Sequence, residues 1–172
     1  MKIRGVLLAG AIVVSCVLVS GRAQAQQIFL EISGVPGEVV TPAAFANQIE
    51  VLSLSFGGSK PCGAGSLSLS DVNIMKNTDK ATVKFSIALR DHTVYPTATI
   101  RFTRSDNQVY QVYQLTNMVL ESLQTSGSGG SPRTTESVSF TFSQMAVTYT
   151  YFDSSGKAGS SDSMTFTAPS CP

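Results

Sequence analysis

Hydrophobic positions follow two different rules along this chain. Residues 6–19 are apolar with few interruptions, mainly Gly10, Ser15 and Cys16, whereas from Gln27 onward Val, Ile, Leu, Phe and Tyr recur at alternate positions among Ser, Thr, Gln and Asn. A period of two sends successive side chains to opposite faces of an extended backbone, so the second regime predicts half-buried β-strands. The strands are expected at residues 28–32, 49–56, 67–75, 81–89, 97–104, 108–125 and 135–152, with a short last one at 163–167. Gly34, Pro36 and Gly37 turn the chain after the first strand, and residues 38–47 form a loop with one helical turn around Ala43 to Ala46. In the second strand, alternation sets Ile49, Val51, Ser53 and Ser55 against Glu50, Leu52, Leu54 and Phe56. In the third, the phase slips near Asp71; a β-bulge, which inserts one residue into the pairing, restores the core face.

No segment carries a sustained helical stripe, and the one short helix is expected where the strand at 81–89 ends, before Pro96. Ser105, Asp106 and Asn107 form a tight turn. The last third is the most regular: Val138, Phe140 and Phe142 alternate with Ser137, Ser139, Thr141 and Ser143, an aromatic face against a polar one. Its two strands are long for a globular protein and meet at a glycine-rich loop. An exposed tip of this kind suits contact beyond its own fold, which makes Gly127, Ser128, Gly129, Gly130, Pro132 and Glu136 candidates for touching a partner.

The N-terminal segment changes the setting. Lys2 and Arg4 precede the apolar run, and Ala23-Gln24-Ala25 supplies a small-x-small site, so residues 1–25 read as a secretory signal cleaved after Ala25. Val13-Val14-Ser15-Cys16 supports a competing reading, lipid anchoring at Cys16. The expected destination is the periplasm or the exterior. Removing 25 of the 172 residues leaves 147, enough for one domain over residues 26–172. Removal also takes Lys2, Arg4 and Arg22, leaving nine basic against eleven acidic groups, so the formal charge moves from +1 to −2. The basic balance therefore belongs to the leader, and no basic cluster elsewhere marks a nucleic-acid surface. No later stretch is long enough to span a membrane.

Two cysteines remain, Cys62 and Cys171, and an oxidising compartment favours their pairing. Closing a loop of about 110 residues contributes on the order of 4–5 kcal/mol in the chain-entropy account. Metal binding is not supported, because His92 is the only histidine. His92 also has no strained nucleophile near it in sequence and reads as a surface residue. Ser105-Asp106-Asn107 and Ser154-Ser155-Gly156-Lys157 echo two elements of the serine β-lactamases, but in the wrong order and without the third. The glycines at 127–130 lack the Lys-Ser/Thr pair of a phosphate loop, and the acidic residues are scattered singly. No catalytic residue, cofactor or metal is therefore expected.

Three stretches together resemble the Hcp family, the tube-forming proteins of type VI secretion systems. They are IFLEISGVPGE at 28–38 with IEVLSLSFG at 49–57; DVNIMKNTDKATVKF at 71–85, with Lys76, Asp79, Lys80 and Ala81; and the segment from Tyr113 to Tyr149, with its Gly-Ser-Gly-Gly tip, Pro132 and Glu136 to Val138. The resemblance implies a mainly β fold: a single-domain, two-sheet, partly open β-barrel with a long C-terminal hairpin and one short helix, here around Ala88 to Thr93. It further implies hexameric rings stacked into a hollow tube, cargo or effector proteins in the lumen, a sheath outside and no catalytic residue. The departures are the leader, the insertion Lys60-Pro61-Cys62-Gly63 and the tail that ends Ser170-Cys171-Pro172. The leading expectation is a non-enzymatic ring subunit; the alternative is a monomeric exported binding module that reuses the fold.

Overall fold

The computed structural model describes residues 26–62 and 65–168; the leader with Cys16 and the end of the tail with Cys171 lie outside the described residues. The chain runs through β1 (Gln27–Ile32), a 3-10 turn (Ala43–Phe45), β2 (Ile49–Val51), β3 (Ser53–Ser55), β4 (Gly58–Ser59), β5 (Ser68–Leu69) and β6 (Val72–Asn77). Then come α1 (Ala81–Asp91), β7 (Val94–Thr103), β8 (Val109–Ser126), β9 (Thr135–Thr141), β10 (Gln144–Phe152) and β11 (Ala158–Thr167).

Nine strands form one antiparallel sheet in the order β2-β1-β7-β8-β9-β6-β3, with β10 and β11 branching from β8, and β4 and β5 make a separate two-stranded ribbon. The two ends of that order, β2 and β3, are consecutive stretches of one segment bent at Leu52, whose amide donates to the Met75 carbonyl. The sheet therefore curls almost shut, into the partly open barrel anticipated from the sequence. Its interior holds Leu30, Ile49, Ile74, Ile100, Leu115, Leu120, Val138 and Phe140, each at 0–1% exposure. Phe85 of α1 closes it from outside the strands, edge-on to Phe140 at 5.9 Å.

The eighteen residues of β8 organise the rest. One edge of β8 is paired with β7, while the other is divided, residues 111–116 binding β10 and residues 119–126 binding β9. The division falls at Asn117, in the left-handed region at φ 50°, a conformation that Asn tolerates better than most residues. Across the gap the Ser143 amide and hydroxyl both donate to the Thr116 carbonyl, and Asn117 Nδ2 donates to Ser143 Oγ. The return strand expected at 135–152 is thus real, but broken at Phe142 and Ser143 into β9 and β10.

Three expectations are corrected. Residues 81–91 form the helix and not a fourth strand: the buried Ala81, Phe85 and Ala88 stand four and three residues apart, the spacing of one helical face, which the β-branched and aromatic content masked. The helix therefore begins earlier than Ala88. Second, the alternation of 49–56 changes phase at Leu52: of the large apolar groups on one face, Leu54 and Phe56 turn toward the core, but Leu52 is exposed, and Ile49 and Val51 of the other face are buried. Third, the last strand is ten residues long, not five, because pairing to β10 runs outward with little burial to announce it. The slip near Asp71 separates β5 from β6.

Candidate functional site

The β8–β9 hairpin brings most of the tip candidates together at the surface. Gly127, Ser128, Gly129, Gly130 and Pro132 are all exposed, and Gly130 takes φ 92°, which L side chains rarely adopt. The base of the hairpin is pinned: the Thr78 amide and hydroxyl reach the Thr134 carbonyl and hydroxyl, and Arg133 Nη1 lies 3.2 Å from Glu38 Oε2. A recess of about 350 Å³ lies beside this base, lined by Glu38, Val39, Glu50, Asn77, Asp79 and Arg133.

Glu136 differs from its neighbours in the tip set. It is fully buried and has no surface to offer a partner, because Lys76 follows Val72 and Ile74 on the inward face of β6 and meets it across the ladder. Lys76 Nζ donates to Glu136 Oε2, Asp79 Oδ1 and the Asn77 carbonyl, each at 2.7 Å, so its three protons have three acceptors. Thr82 Oγ1 donates to the same Glu136 oxygen at 3.0 Å, and Asp79 Oδ1 also accepts the Ala81 amide at 2.9 Å. One ammonium thereby ties β6, β9 and the start of α1 together, a low-dielectric site where each partner depends on the other.

A second cluster was not anticipated. Four tyrosines, Tyr110, Tyr113, Tyr149 and Tyr151, gather with Phe102 where β8 and β10 run past the barrel, at ring separations of 5.1–6.2 Å. Burial raises Tyr110 and Tyr113 above the ordinary tyrosine value, and the bond from Tyr151 to Asp162 Oδ2, 2.6 Å, raises Tyr151. Gln26 Nε2 donates to Tyr110 Oη, so the chain enters the fold beside this cluster. The sequence signal was available in the alternation of Tyr149 and Tyr151, but aromatic residues at alternate positions read equally well as core.

The remaining candidates are separated. His92 is exposed and ends α1 in a left-handed conformation, φ 47°. Asp106 accepts the Gln108 amide, and Asp153 accepts the Ser155 amide and hydroxyl and the Lys157 amide, so each carboxylate serves its own turn. Those bonds hold Asp153 below the usual aspartate range. Cys62 is exposed in the loop between β4 and β5. No group of three or more His, Cys, Asp or Glu side chains is arranged to hold a metal among the described residues, and no helix among them is long and apolar enough to cross a membrane.

The model of the family "Type VI secretion system effector, Hcp" matches residues 29–149. Protein hcp1 of Pseudomonas aeruginosa is 35% identical over 136 residues, covering 73% of this chain and 83% of that protein. The chain belongs to the Hcp family. Hcp proteins are structural subunits of the ring- and tube-forming kind, and this chain is one of them, not an enzyme. Among solved structures, a type six secretion system protein superposes with a TM-score of 0.78 at 25% identity, covering 83% of this chain and 96% of the other. Hcp1 of Salmonella typhimurium gives 0.71 at 21% identity over 83% and 95% of the two chains, and secreted protein Hcp3 of Pseudomonas aeruginosa gives 0.63 at 17% over 85% and 100%; both share the fold. Lys76 and Glu136, which the resemblance had singled out by motif, are thus the pair that holds the Hcp barrel to its helix.

Proposed function

We propose that this Hcp chain is an exported ring subunit: residues 1–25 direct it across the inner membrane and are removed, and residues 26–172 fold as one domain and assemble into a hexamer. The observation that carries the reading is the family match joined to a barrel whose aromatic wall at β10 and β11 stands uncovered. A monomer gains nothing from that exposure, whereas a closed ring covers it. The ring then offers its lumen or faces to effector or secretion-apparatus proteins, and the exposed tip of Gly127 to Gly130 and Pro132 reaches a neighbouring subunit or ring.

The leader assigns the mature chain to the periplasm or the exterior, with anchoring at Cys16 as the second outcome of processing. The disulfide between Cys62 and Cys171 belongs to the same reading. Phe56, which precedes β4 and the loop carrying Cys62, lies 5.9 Å from Phe166 near the end of β11, so an aromatic contact joins the two regions that lead to the cysteines. Native mass spectrometry of the exported protein at micromolar concentration is expected to give a hexamer; a strictly monomeric species would refute the ring. N-terminal sequencing separates a start at Gln26 from a lipidated Cys16 or an intact Met1.

A further inference from the structure

Gln26 stands immediately before β1 and immediately after the small-x-small site of the leader. Residues at the start of a fold fray unless something holds them, and two contacts hold this one. Its backbone runs directly into Gln27, which pairs with Thr103 and whose carbonyl accepts the Thr103 hydroxyl at 3.3 Å. Its side-chain Nε2 donates to Tyr110 Oη at 2.6 Å, across 84 residues of sequence. Tyr110 is fixed in turn by its neighbours, with Phe102 at 6.2 Å and Tyr149 at 6.0 Å, ring to ring. An exposed glutamine is thereby fastened to an aromatic cluster through the nitrogen of its amide. The bond involves the side chain alone, so loss of residues 1–25 does not undo it.

A glutamine at the start of a chain has a chemistry that the same residue lacks inside one. While Ala25 is attached, the Gln26 nitrogen belongs to an amide whose lone pair is delocalised into the carbonyl, and it is no nucleophile. Cleavage after Ala25 turns it into an α-amine. Such amines titrate near about 8, so part of the population carries a free lone pair at neutral pH. The nitrogen and the side-chain carbonyl carbon Cδ can then close a five-membered lactam. The lone pair adds to Cδ, the bond from Cδ to Nε2 breaks, and Nε2 departs as ammonia with the proton that the amine gives up. No oxidant, reductant or second substrate is required.

We propose that Gln26 is a modification site of the exported chain, closing to a terminal lactam once the leader is removed, and that Tyr110 restrains the closure by holding the departing nitrogen. The proposal rests on the leader reading. Tyr110 acts here as a positioning residue, because the atom that has to leave is the atom it binds. Closure requires the amine and Cδ to reach attack distance in the right orientation, and a side chain tethered to β8 reaches it less often than a free one. It also requires the hydrogen bond to be given up, which for a neutral pair corresponds to a factor of about two to ten. Oη stays neutral in this role, since burial raises Tyr110 above the ordinary tyrosine value. The lactam removes the terminal positive charge and leaves no free amine for an aminopeptidase. A chain that keeps its leader cannot form it, so the lactam is a covalent record of processing, and Tyr110 sets its rate.

The test follows the N-terminal peptide of the exported protein by mass spectrometry during incubation at neutral pH, with fragmentation to place any loss at Gln26. Three samples are compared: folded wild type, wild type unfolded in guanidinium, and folded Tyr110→Phe, which keeps the ring in its cluster and removes only the acceptor. Wild type is expected to start at Gln26 and to lose the mass of one ammonia there, at least about twofold more slowly folded than unfolded. Tyr110→Phe, with its melting unchanged, is expected to close about two to ten times faster than folded wild type and to match it when both are unfolded. A start at Gln26 with no loss of ammonia even in guanidinium overturns the modification and leaves the leader reading intact. An intact Met1 or a lipidated Cys16 overturns the leader reading and the modification together. Equal rates in folded wild type and Tyr110→Phe overturn the restraint; so does slower closure in the variant, which would make the Tyr110 hydroxyl a proton donor to the leaving nitrogen. Should the variant melt early, the wild type carries the test alone, and equal rates folded and unfolded overturn the restraint.

Discussion

Lys76 carries more of this structure than any other polar residue. Its ammonium is fully buried, and Glu136, Asp79, the Asn77 carbonyl and, at longer range, Thr82 Oγ1 stand in for water. Removing one member of such a pair leaves an uncompensated charge, at a cost of about 3–5 kcal/mol, whereas replacing both with apolar groups is close to neutral. Lys76→Met, which leaves the buried Glu136 carboxylate without a counter-ion, is accordingly expected to lower the melting temperature by roughly 10 °C at 2–4 °C per kcal/mol. The double variant Lys76→Met with Glu136→Leu is expected to recover most of that loss, and differential scanning calorimetry of both decides it. Asp153 behaves differently because it sits at the surface of its turn. Its carboxyl is held below the usual aspartate value of 3.8 by the Ser155 hydroxyl and by the Lys157 and Ser155 amides. A depressed acid stabilises the turn above its unfolded value and loses that contribution as pH falls through the folded one. Amide exchange at Ser155 and Lys157 is therefore expected to accelerate below about pH 3.8, the unfolded reference, and to be indifferent to pH in Asp153→Asn once intrinsic rates are divided out.

At the level of elements, α1 is the part that the pattern of the chain misrepresents. Thr82, Val83, Phe85 and Ile87 favour strands by type, and only the four-residue and three-residue steps of Ala81, Phe85 and Ala88 reveal the helix. Asp79, which accepts the Ala81 amide, and Thr82, which accepts the Asp79 amide, add a local start signal that outweighs those preferences. Val83 is 67% exposed, so Val83→Ala tests the assignment: a helix gains up to about 0.5 kcal/mol in a urea titration, and a strand would lose stability. The long strands were legible because alternation over many residues has no rival explanation, as in Val138, Phe140 and Phe142. Breaks were not: Leu52, Asn117 and Ser143 interrupt strands through pairing geometry that depends on residues far away in sequence. The glycine-rich tip was legible from composition. The buried state of Glu136, one step beyond it, required knowing that Lys76 faces inward across the ladder.

For the molecule as a whole, the proposed export bears first on the cysteines. The Cys62–Cys171 bridge is expected to appear in an unreduced peptide map of the exported protein, with reduction lowering the melting temperature; a map showing both thiols free removes it. The exposure of Tyr149 and Tyr151 escaped the sequence reading because the two are identical in pattern to core residues, and only the place where the barrel ends decides that they stand at the surface. Several pairings are distant, β1 with β7 and β6 with β9 among them, so folding is slow compared with that of locally connected proteins. β11 is held by β10 alone. Because β11 is exposed along most of its length and hydrogen-bonded along one edge only, it can peel from β10 while the barrel stays closed, and its amides are expected to exchange faster than those of β7 or β8.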